Sequence, residues 1–287
     1  MKKMKLLSAV IAAAMAVSLF AGCSQKKEQV EIKSGDDLWK LSIGVQSGTT
    51  GDTYTTRHFT KAGIEEFNRL AEESGEEKLE VPADTSNDAT IARYNKATDA
   101  AQDLKNGRID CVVVDKMPAQ KIVDKNSDLQ ILGFDLTEEE YAIAVGKDNQ
   151  ELTDSINATL EKLMNDGTYD KMIAYFIDGD TSVELPEVPA GEGEIVMGTN
   201  AEFEPFEYHG ENNEIVGFDI YLSQWIASDL GKNLKVEDMA FDSLIGALES
   251  GKVDFVAAGM TEDPERAKSV NFSNSYYNAS QVIIVRK

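Results

Sequence analysis

Histidine and cysteine are scarce in this chain, with two residues of each among 287. His58 and His209 lie far apart in the sequence and have no ligand spacing around them, so we expect neither a metal site nor a cofactor. Cys111 lies in the apolar run Ile109–Val114, which is typical of a buried strand, and we interpret it as a small core residue. Since Cys23 is the other cysteine, the sequence has no disulfide framework.

Long apolar runs are also missing, apart from Leu6–Ala21 near the start of the sequence. This run is shorter than the roughly 20 residues of a membrane-spanning helix. Three lysines precede it and small residues follow it, as in a secretory signal. The sequence Ala-Gly-Cys at its end resembles a lipobox, whose cysteine becomes lipid-modified after cleavage. Residues 1–22 are therefore a predicted lipoprotein signal peptide, Cys23 a predicted lipid anchor, and residues 23–37 the lipidated cysteine with its leash. An ordinary signal with an accidental cysteine is the alternative.

Basic residues are outnumbered, because 28 Lys and Arg stand against 51 Asp and Glu, a formal net charge of −23. Nucleic-acid binding needs clustered Lys and Arg to displace counterions from phosphates. The charge balance therefore argues against a nucleic-acid partner.

Strand-like and helix-like segments alternate along most of the sequence. Ser42–Gln46, Ile109–Val114 and Gln281–Val285 have the β-branched, apolar character of buried strands. Helical spacing marks Lys96–Asn106 and the segment from Leu152 onward. Strands separated by helices predict parallel sheets with helices on both faces.

A set of motifs follows in register near the end of the chain. They are GTNAEFEPFEY (198–208), GFDI (217–220), FDSLI (241–245), GKVD (251–254) and GMTEDPER (259–266). The set closely resembles lobe 1 of the extracellular amino-acid-binding proteins of ABC importers, solute-binding family 3. The matching lobe 2 lies before it. The resemblance implies an α/β fold with two Rossmann-like lobes, a hinge and an interlobe ligand cleft, as in type II periplasmic binding proteins.

The order of the lobes differs from that of the family, which indicates a circular permutation. We expect lobe 2 at 38–147, the C-terminal helices of lobe 1 at 148–176, a linker at 177–193 and the main part of lobe 1 at 194–287. The stretch at about 60–90 is longer than the family usually carries and is interpreted as an insertion. Permutation is tolerated where chain ends are close together. We therefore expect Lys33–Leu38 to lie near Val285–Lys287, with a single covalent crossing between lobes. A rearranged or truncated gene whose lobes pair between chains is the alternative.

Two charged residues are the main candidates for gripping a ligand. Arg266 follows Asp263 and Pro264, which can start a helix and orient the guanidinium to hold a carboxylate through two hydrogen bonds. Asp115 ends a buried strand, and the resemblance implies that it takes the ligand α-ammonium group. A surface arginine and an aspartate that caps the next helix are the alternatives.

The resemblance implies further ligand contacts around this pair. Backbone N–H groups of Gly259 and Thr261 and the Thr261 hydroxyl would serve the ligand, beside Ala258. Thr49 and Thr50 would bond its carboxylate. The rings of Phe203 and Phe241 would pack on its side chain, with core packing as the alternative.

Two further positions bear on specificity, Asn200 and Gln46. Asn200 stands where relatives with cationic ligands often carry aspartate, and Gln46 would point toward the side-chain pocket. Both favour a neutral polar ligand such as glutamine.

The predicted function is capture of a free α-amino acid outside the cytoplasm by a monomeric, lipid-anchored protein that delivers it to an ABC transporter permease. A sensing or adhesion lipoprotein without transport is one alternative. A dehydratase-like enzyme on the same fold is another, which is disfavoured because no histidine falls within the binding motifs. We therefore predict a binding protein and not an enzyme.

Overall fold

The computed structural model describes residues 30–75, 77–81 and 88–287. The predicted signal peptide and Cys23 lie outside these ranges. Two five-stranded sheets, each with helices packed on it, form two lobes of an α/β protein. The fold class predicted from the alternating strand and helix signals is confirmed.

Lobe 2 contains the first eight regular elements. In chain order they are β1 (Ser42–Gln46), α1 (Thr50–Phe59), α2 (Lys61–Ser74), β2 (Thr90–Tyr94), α3 (Ala97–Lys105), β3 (Cys111–Asp115), α4 (Lys116–Asp124) and β4 (Leu129–Ile131). The predicted insertion thus contributes helix α2, which packs against α1.

The remaining elements belong to the hinge and to lobe 1, except for the last strand, which lies in the lobe 2 sheet. They are β5 (Glu139–Tyr141), β6 (Ala144–Gly146), α5 (Gln150–Asn165), α6 (Thr168–Met172), β7 (Glu194–Thr199), β8 (Glu202–Phe203), β9 (Glu207–His209), β10 (Ile215–Val216), α7 (Phe218–Asp229), β11 (Asn233–Asp238), α8 (Leu244–Glu249), β12 (Phe255–Val256), α9 (Arg266–Ser269), β13 (Val270–Phe272), β14 (Tyr277–Ala279) and β15 (Gln281–Arg286).

Both sheets have the same pattern of strand directions. In lobe 2 the order is β2-β1-β3-β15-β4, where β1 is parallel to β2 and β3 while β15 is antiparallel to both of its neighbours. In lobe 1 the order is β11-β7-β12-β6-β13, and β6 is antiparallel to both of its neighbours. Each sheet therefore takes one antiparallel strand from the segment that has just left the other lobe.

The expectation of a single crossing between the lobes is wrong. The chain crosses from lobe 2 to lobe 1 through β5 and β6, and it returns through β14 and β15. Strands β5 and β14 pair antiparallel, with Tyr141 opposite Tyr277, and form a two-stranded hinge. Strand β15 lies in lobe 2 because its five buried residues fill both faces of that sheet. The segment 194–287 therefore does not lie wholly in lobe 1.

Strand β3 shows why lobe 2 needs helices on both faces. Successive side chains of a strand point to opposite faces of the sheet. Val112 and Val114 pack with Leu104 of α3, while Cys111 and Val113 pack with the other hydrophobic cluster of the lobe. Cys111 is a core residue as predicted, and burial raises the pKa of its thiol.

The residues at the start of lobe 2, around Leu38, pack in the same hydrophobic cluster as Val285 of β15. Both side chains are buried and lie within lobe 2. The backbone N–H of Lys287 donates to the carbonyl of Asp128 at 2.9 Å. These two ends are therefore close, but they lie inside lobe 2 and not across the hinge.

The segment between Asp178 and Gly193 has no strand or helix and runs along lobe 1. The Tyr221 hydroxyl donates to the carbonyl of Pro186, and the N–H of Glu192 donates to the carbonyl of Gly231 at 2.7 Å. The predicted linker is thus held by lobe 1. Within the described ranges, no helix combines the length and apolar character needed to cross a bilayer.

Candidate ligand-binding site

A small cavity lies between the two lobes, at the ends of their sheets. Lobe 2 and lobe 1 both line it, with the residues Gln46, Thr49, Thr50, Asp115, Asn200, Phe203, Glu207, Phe241 and Gly259. All of these except Glu207 are positions that the sequence singled out. The cavity measures about 10 Å³, which is about the space of one water molecule. The lobes are therefore closed on each other, and an amino acid can enter only if they separate.

The loop before α1 brings the lobe 2 backbone close to lobe 1. The Thr49 hydroxyl donates to the carbonyl of Gln46 at 2.8 Å and accepts from the N–H of Asp52, so Thr49 caps α1. Gly48 has φ +75°, and a Cβ there would lie 2.9 Å from the side chain of Asp242 in lobe 1. Glycine is needed at this position for both reasons. The N–H groups of the first turn of α1, with the positive end of the helix dipole, suit an anionic group.

Arg266 is held at the edge of the cleft by contacts with both lobes. Its Nη1 donates to the carbonyl of Thr261 at 2.7 Å, and its Nη2 donates across the cleft to the carbonyl of Gly48 at 2.9 Å. The Asp263 carboxylate lies 3.3 Å from Nε and also accepts the N–H of Arg266, as a cap does. The side chain is only 11% exposed. The alternative of a surface arginine is therefore excluded.

The ring of Phe241 lies beneath this guanidinium. The Arg266 Cζ atom is 5.4 Å from the ring centroid, within the range of a cation–π contact. Phe241 is therefore not a core residue alone, because one of its faces meets a charged group in the cleft. Phe203 differs, since it is 7% exposed and belongs to the main core cluster of lobe 1 while it also lines the cavity.

Asp115 does not cap the helix that follows it. Its side chain makes no capping bond to α4 and instead accepts a hydrogen bond from the Tyr141 hydroxyl at 2.5 Å. Burial, together with the nearby Glu139 carboxylate, raises the pKa of Asp115 to about 7. A cation placed beside Asp115 would lower this pKa and keep the carboxylate charged. The geometry therefore suits an ammonium group.

Three predicted ligand contacts have other partners or places in this structure. The N–H of Gly259, which lines the cavity, donates to the Asp219 carboxylate at 2.8 Å in the closed form. The Thr261 hydroxyl donates to Glu139 at 2.7 Å. Ala258 packs in a hydrophobic cluster, and it does not line the cavity. These residues therefore act on the site through their partners, which are Asp219 for Gly259, Glu139 for Thr261 and a hydrophobic cluster for Ala258.

Gly259 is needed because of its conformation and its surroundings. Its φ is +51°, which residues with a Cβ rarely adopt. A Cβ at this position would lie 2.5 Å from Cε1 of Phe203. The glycine therefore lets the aromatic ring reach the wall of the cavity.

Glu207 is the site residue that sequence reasoning missed. It is fully buried, and no N–H or hydroxyl group of the protein donates to its carboxylate oxygens, whose neighbour is the Asp219 carboxyl group. Burial raises its pKa well above the usual range, and Asp219 raises it further. In the β8–β9 hairpin Glu207 pairs directly with Phe203, so both face the cavity. The sequence signal that could have identified Glu207 is the short hairpin around Pro205. It places Phe203 and Glu207, which belong to one motif, opposite each other.

Other side chains join the lobes beside the cavity. Gln46 Nε2 donates to Asn200 Oδ1 at 2.7 Å, and Asn200 Nδ2 donates to the carbonyl of Met239 at 2.8 Å. Lys96 pairs with Glu202 at the rim of the cleft. Among the described residues, no group of three or more His, Cys, Asp or Glu side chains is arranged to hold a metal ion.

A comparison with known protein families finds a match to part of the chain. Residues 195–287 match the family model of bacterial extracellular solute-binding proteins, family 3. These residues are therefore similar in sequence to the family 3 solute-binding proteins. The resemblance found in the motifs is thereby confirmed for this lobe. The family 3 match does not extend to the first 194 residues.

The most similar relatives include two arginine-binding proteins. The arginine-binding extracellular protein ArtP of Bacillus subtilis (strain 168) is 47% identical over 98 residues, which are 34% of this chain and 38% of ArtP. The ABC transporter arginine-binding protein 1 of Escherichia coli (strain K12) is 44% identical over 93 residues, which are 32% of this chain and 38% of that protein. These relatives are solute-binding proteins and not enzymes. This chain spans less than two fifths of their length.

A solved structure of one such lobe is also similar. The arginine-bound form of domain 1 from TmArgBP is 42% identical, and the match covers 33% of this chain and 81% of that domain with a TM-score of 0.29. A superposition at that score carries no weight for the arrangement of the whole chain.

Proposed function

We propose that the chain binds a free α-amino acid in the interlobe cleft outside the cytoplasm and delivers it to an ABC importer. The observation that carries the proposal is the placement of Arg266 and Asp115, a buried cation from lobe 1 and a buried anion from lobe 2. A zwitterion has both complementary charges, and neither lobe alone could pair both of them.

Ligand binding requires a hinge motion. Arg266 donates to the Gly48 carbonyl in the closed form, so an incoming carboxylate would replace or share that acceptor. The two-stranded hinge formed by β5 and β14 gives the lobes a common axis. Binding then selects the closed form, which is the state a transporter would recognise.

The ligand is a basic amino acid, and arginine in particular. The sequence-based preference for glutamine rested on Gln46 and Asn200, but these side chains bond to each other. Glu207 instead offers a buried acid without a hydrogen-bond donor at the wall of the cavity. A guanidinium would supply that donor and a countercharge. The names of the two relatives agree with this choice.

The lipid anchor and the permuted order of lobes are part of the same proposal. A cysteine that becomes lipid-modified at position 23 would tether the protein at the outer face of the membrane. The lobe 1 motifs follow the lobe 2 segment, and the linker at 178–193 joins the two parts of lobe 1. Leu38 and Val285 belong to the same hydrophobic cluster of lobe 2, which supports a chain break between these two parts of the lobe.

A thermal-shift screen of the common amino acids tests the ligand. A ligand held at 100 times its dissociation constant stabilises the protein by about 2.7 kcal/mol. We expect arginine to produce the largest shift, lysine a smaller one, and glutamine little. A shift with glutamine and none with arginine would contradict the proposed ligand, and no shift with any amino acid would contradict amino-acid binding.

A further inference from the structure

Two buried carboxyl groups lie together in lobe 1, behind the ligand cavity. Glu207 of β9 and Asp219 of α7 are both fully buried. Asp219 Oδ2 accepts two hydrogen bonds, from the N–H of Gly259 at 2.8 Å and from the Tyr276 hydroxyl at 2.7 Å. Glu207 accepts none from the protein. The two acids therefore have very unequal surroundings.

Such a pair holds one proton between its members. Two neighbouring carboxylates cannot both stay ionised away from water, so one of them keeps its proton. The two donors on Asp219 favour the charged form there, which leaves the proton on Glu207. Burial raises the pKa of both groups, and at Asp219 the bonds from Gly259 and Tyr276 oppose that rise.

The other charged groups that act on Glu207 strengthen this assignment. Asp115 faces it from β3 of lobe 2, and Asp238 acts on it from the end of β11. Both are acids, and each favours the protonated form of Glu207. Asp238 has a neighbour of its own, since its carboxylate lies 3.4 Å from Nε2 of His209.

We propose that Glu207 stores a proton in the ligand-free protein and releases it when a cationic side chain enters the cavity. This inference rests on the proposed function, because Glu207 lines the cavity in which the ligand side chain would lie. The O–H bond of the carboxyl group breaks, the proton passes to water through the open cleft, and the guanidinium takes its place as the countercharge. A ligand with a neutral side chain leaves the proton where it is. The site would then select basic amino acids by exchanging one positive charge for another.

Infrared difference spectroscopy tests the stored proton directly. A protonated carboxyl group has a C=O stretch that is separate from the amide bands. At about pH 8, above the pKa of about 7 of Asp115, we expect this band in the ligand-free wild type. It should be lost when L-arginine is added and should be absent from Glu207→Gln. The variant Glu211→Gln is the control, because Glu211 is exposed in the same part of lobe 1.

Calorimetry supplies a second measurement that needs no variant. Release of one proton makes arginine binding about tenfold tighter for each pH unit over the range in which Glu207 would otherwise be protonated. Titrations in two buffers with different ionisation enthalpies count the protons released on binding. We expect about one more proton for arginine than for its neutral isostere citrulline. If citrulline does not bind, we expect about one proton for arginine at a pH where Asp115 is charged.

The outcomes separate the two proposals. A band that persists with arginine bound, or wild-type and Glu207→Gln spectra that agree, would overturn the proton exchange even if arginine binds tightly. Absence of any heat with arginine would overturn the proposed ligand, whereas the spectrum of the ligand-free protein decides independently whether Glu207 holds a proton.

Discussion

The amide groups of Gln46 and Asn200 meet across the cleft at 2.7 Å, although 154 positions separate them in the chain. Gln46 ends β1 of lobe 2 and Asn200 follows β7 of lobe 1. The bond is buried, which makes it one of the few directed contacts that stabilise the closed form without a ligand. The equilibrium between open and closed lobes therefore depends in part on this pair.

The first prediction concerns that equilibrium. Asn200→Ala removes the bond and leaves the buried Gln46 amide without its acceptor in the closed form, which costs about 1–3 kcal/mol of closure. Small-angle scattering of the ligand-free variant should show a larger radius of gyration than the wild type. Asn212→Ala is the matched control, since Asn212 is exposed on the β9–β10 turn. Identical scattering curves for Asn200→Ala and wild type would contradict the role assigned to the pair.

The second prediction concerns the two charges of the clamp. Arg266→Ala or Asp115→Asn should weaken binding of the amino acid by about 2–5 kcal/mol, because the partner charge on the ligand is buried without a counterion. Isothermal titration calorimetry measures the loss. Lys268→Ala and Asp124→Asn are the controls, since both residues are exposed on neighbouring helical turns. Unchanged affinity in both clamp variants would refute the clamp.

The third prediction concerns Gly259. Gly259→Ala places a Cβ against Phe203 in a conformation with positive φ, and we expect a loss of about 1–3 kcal/mol of folding stability. Gly246→Ala is the matched control, because a Cβ there meets nothing within 4 Å. That substitution lies within α8 and should stabilise the protein by about 0.5–1 kcal/mol. Urea denaturation compares the free energy of unfolding of both variants with that of the wild type. A stabilised Gly259→Ala or a destabilised Gly246→Ala would contradict the geometry.

The fourth prediction concerns pH. The folded-state pKa of Asp115 is raised to about 7 from the ordinary value of 3.8, so its contribution to stability is present below about pH 4 and is lost as the pH rises through about 7. Asp115→Asn removes this titration. Relative to the wild type, the ligand-free variant should gain stability as the pH rises from about 4 to about 7, with no further gain above that range.

Thermal unfolding at several pH values measures this gain, with Asp124→Asn as the control. A constant difference between wild type and Asp115→Asn across the range would show that Asp115 is not titrating there. Since the same substitution should weaken ligand binding, a variant that is more stable near pH 7 but binds the ligand less tightly is the expected combination.

The local sequence was informative wherever chemistry and spacing act over a few residues. The Asp263-Pro264-Glu265 turn predicted the cap before Arg266, and the run Ile109–Val114 predicted a strand that is buried on both faces. The cap and the buried strand both depend on interactions and spacing among residues that are close in the sequence. The helix that contains Pro118 begins at Lys116, because proline is tolerated in the first turn of a helix.

The sequence by itself determined the α/β class, the buried strands, the motifs of a solute-binding lobe and most of the residues that line the cavity. Only the tertiary structure decided that β15 belongs to lobe 2, since an apolar strand fits either sheet until its neighbours are known. It also decided that Gly259 serves Asp219 and that Glu207 has no donor. Hydrogen-bond partners and carboxyl pairs join residues distant in the chain, and the electrostatics of a buried group depends on everything packed around it.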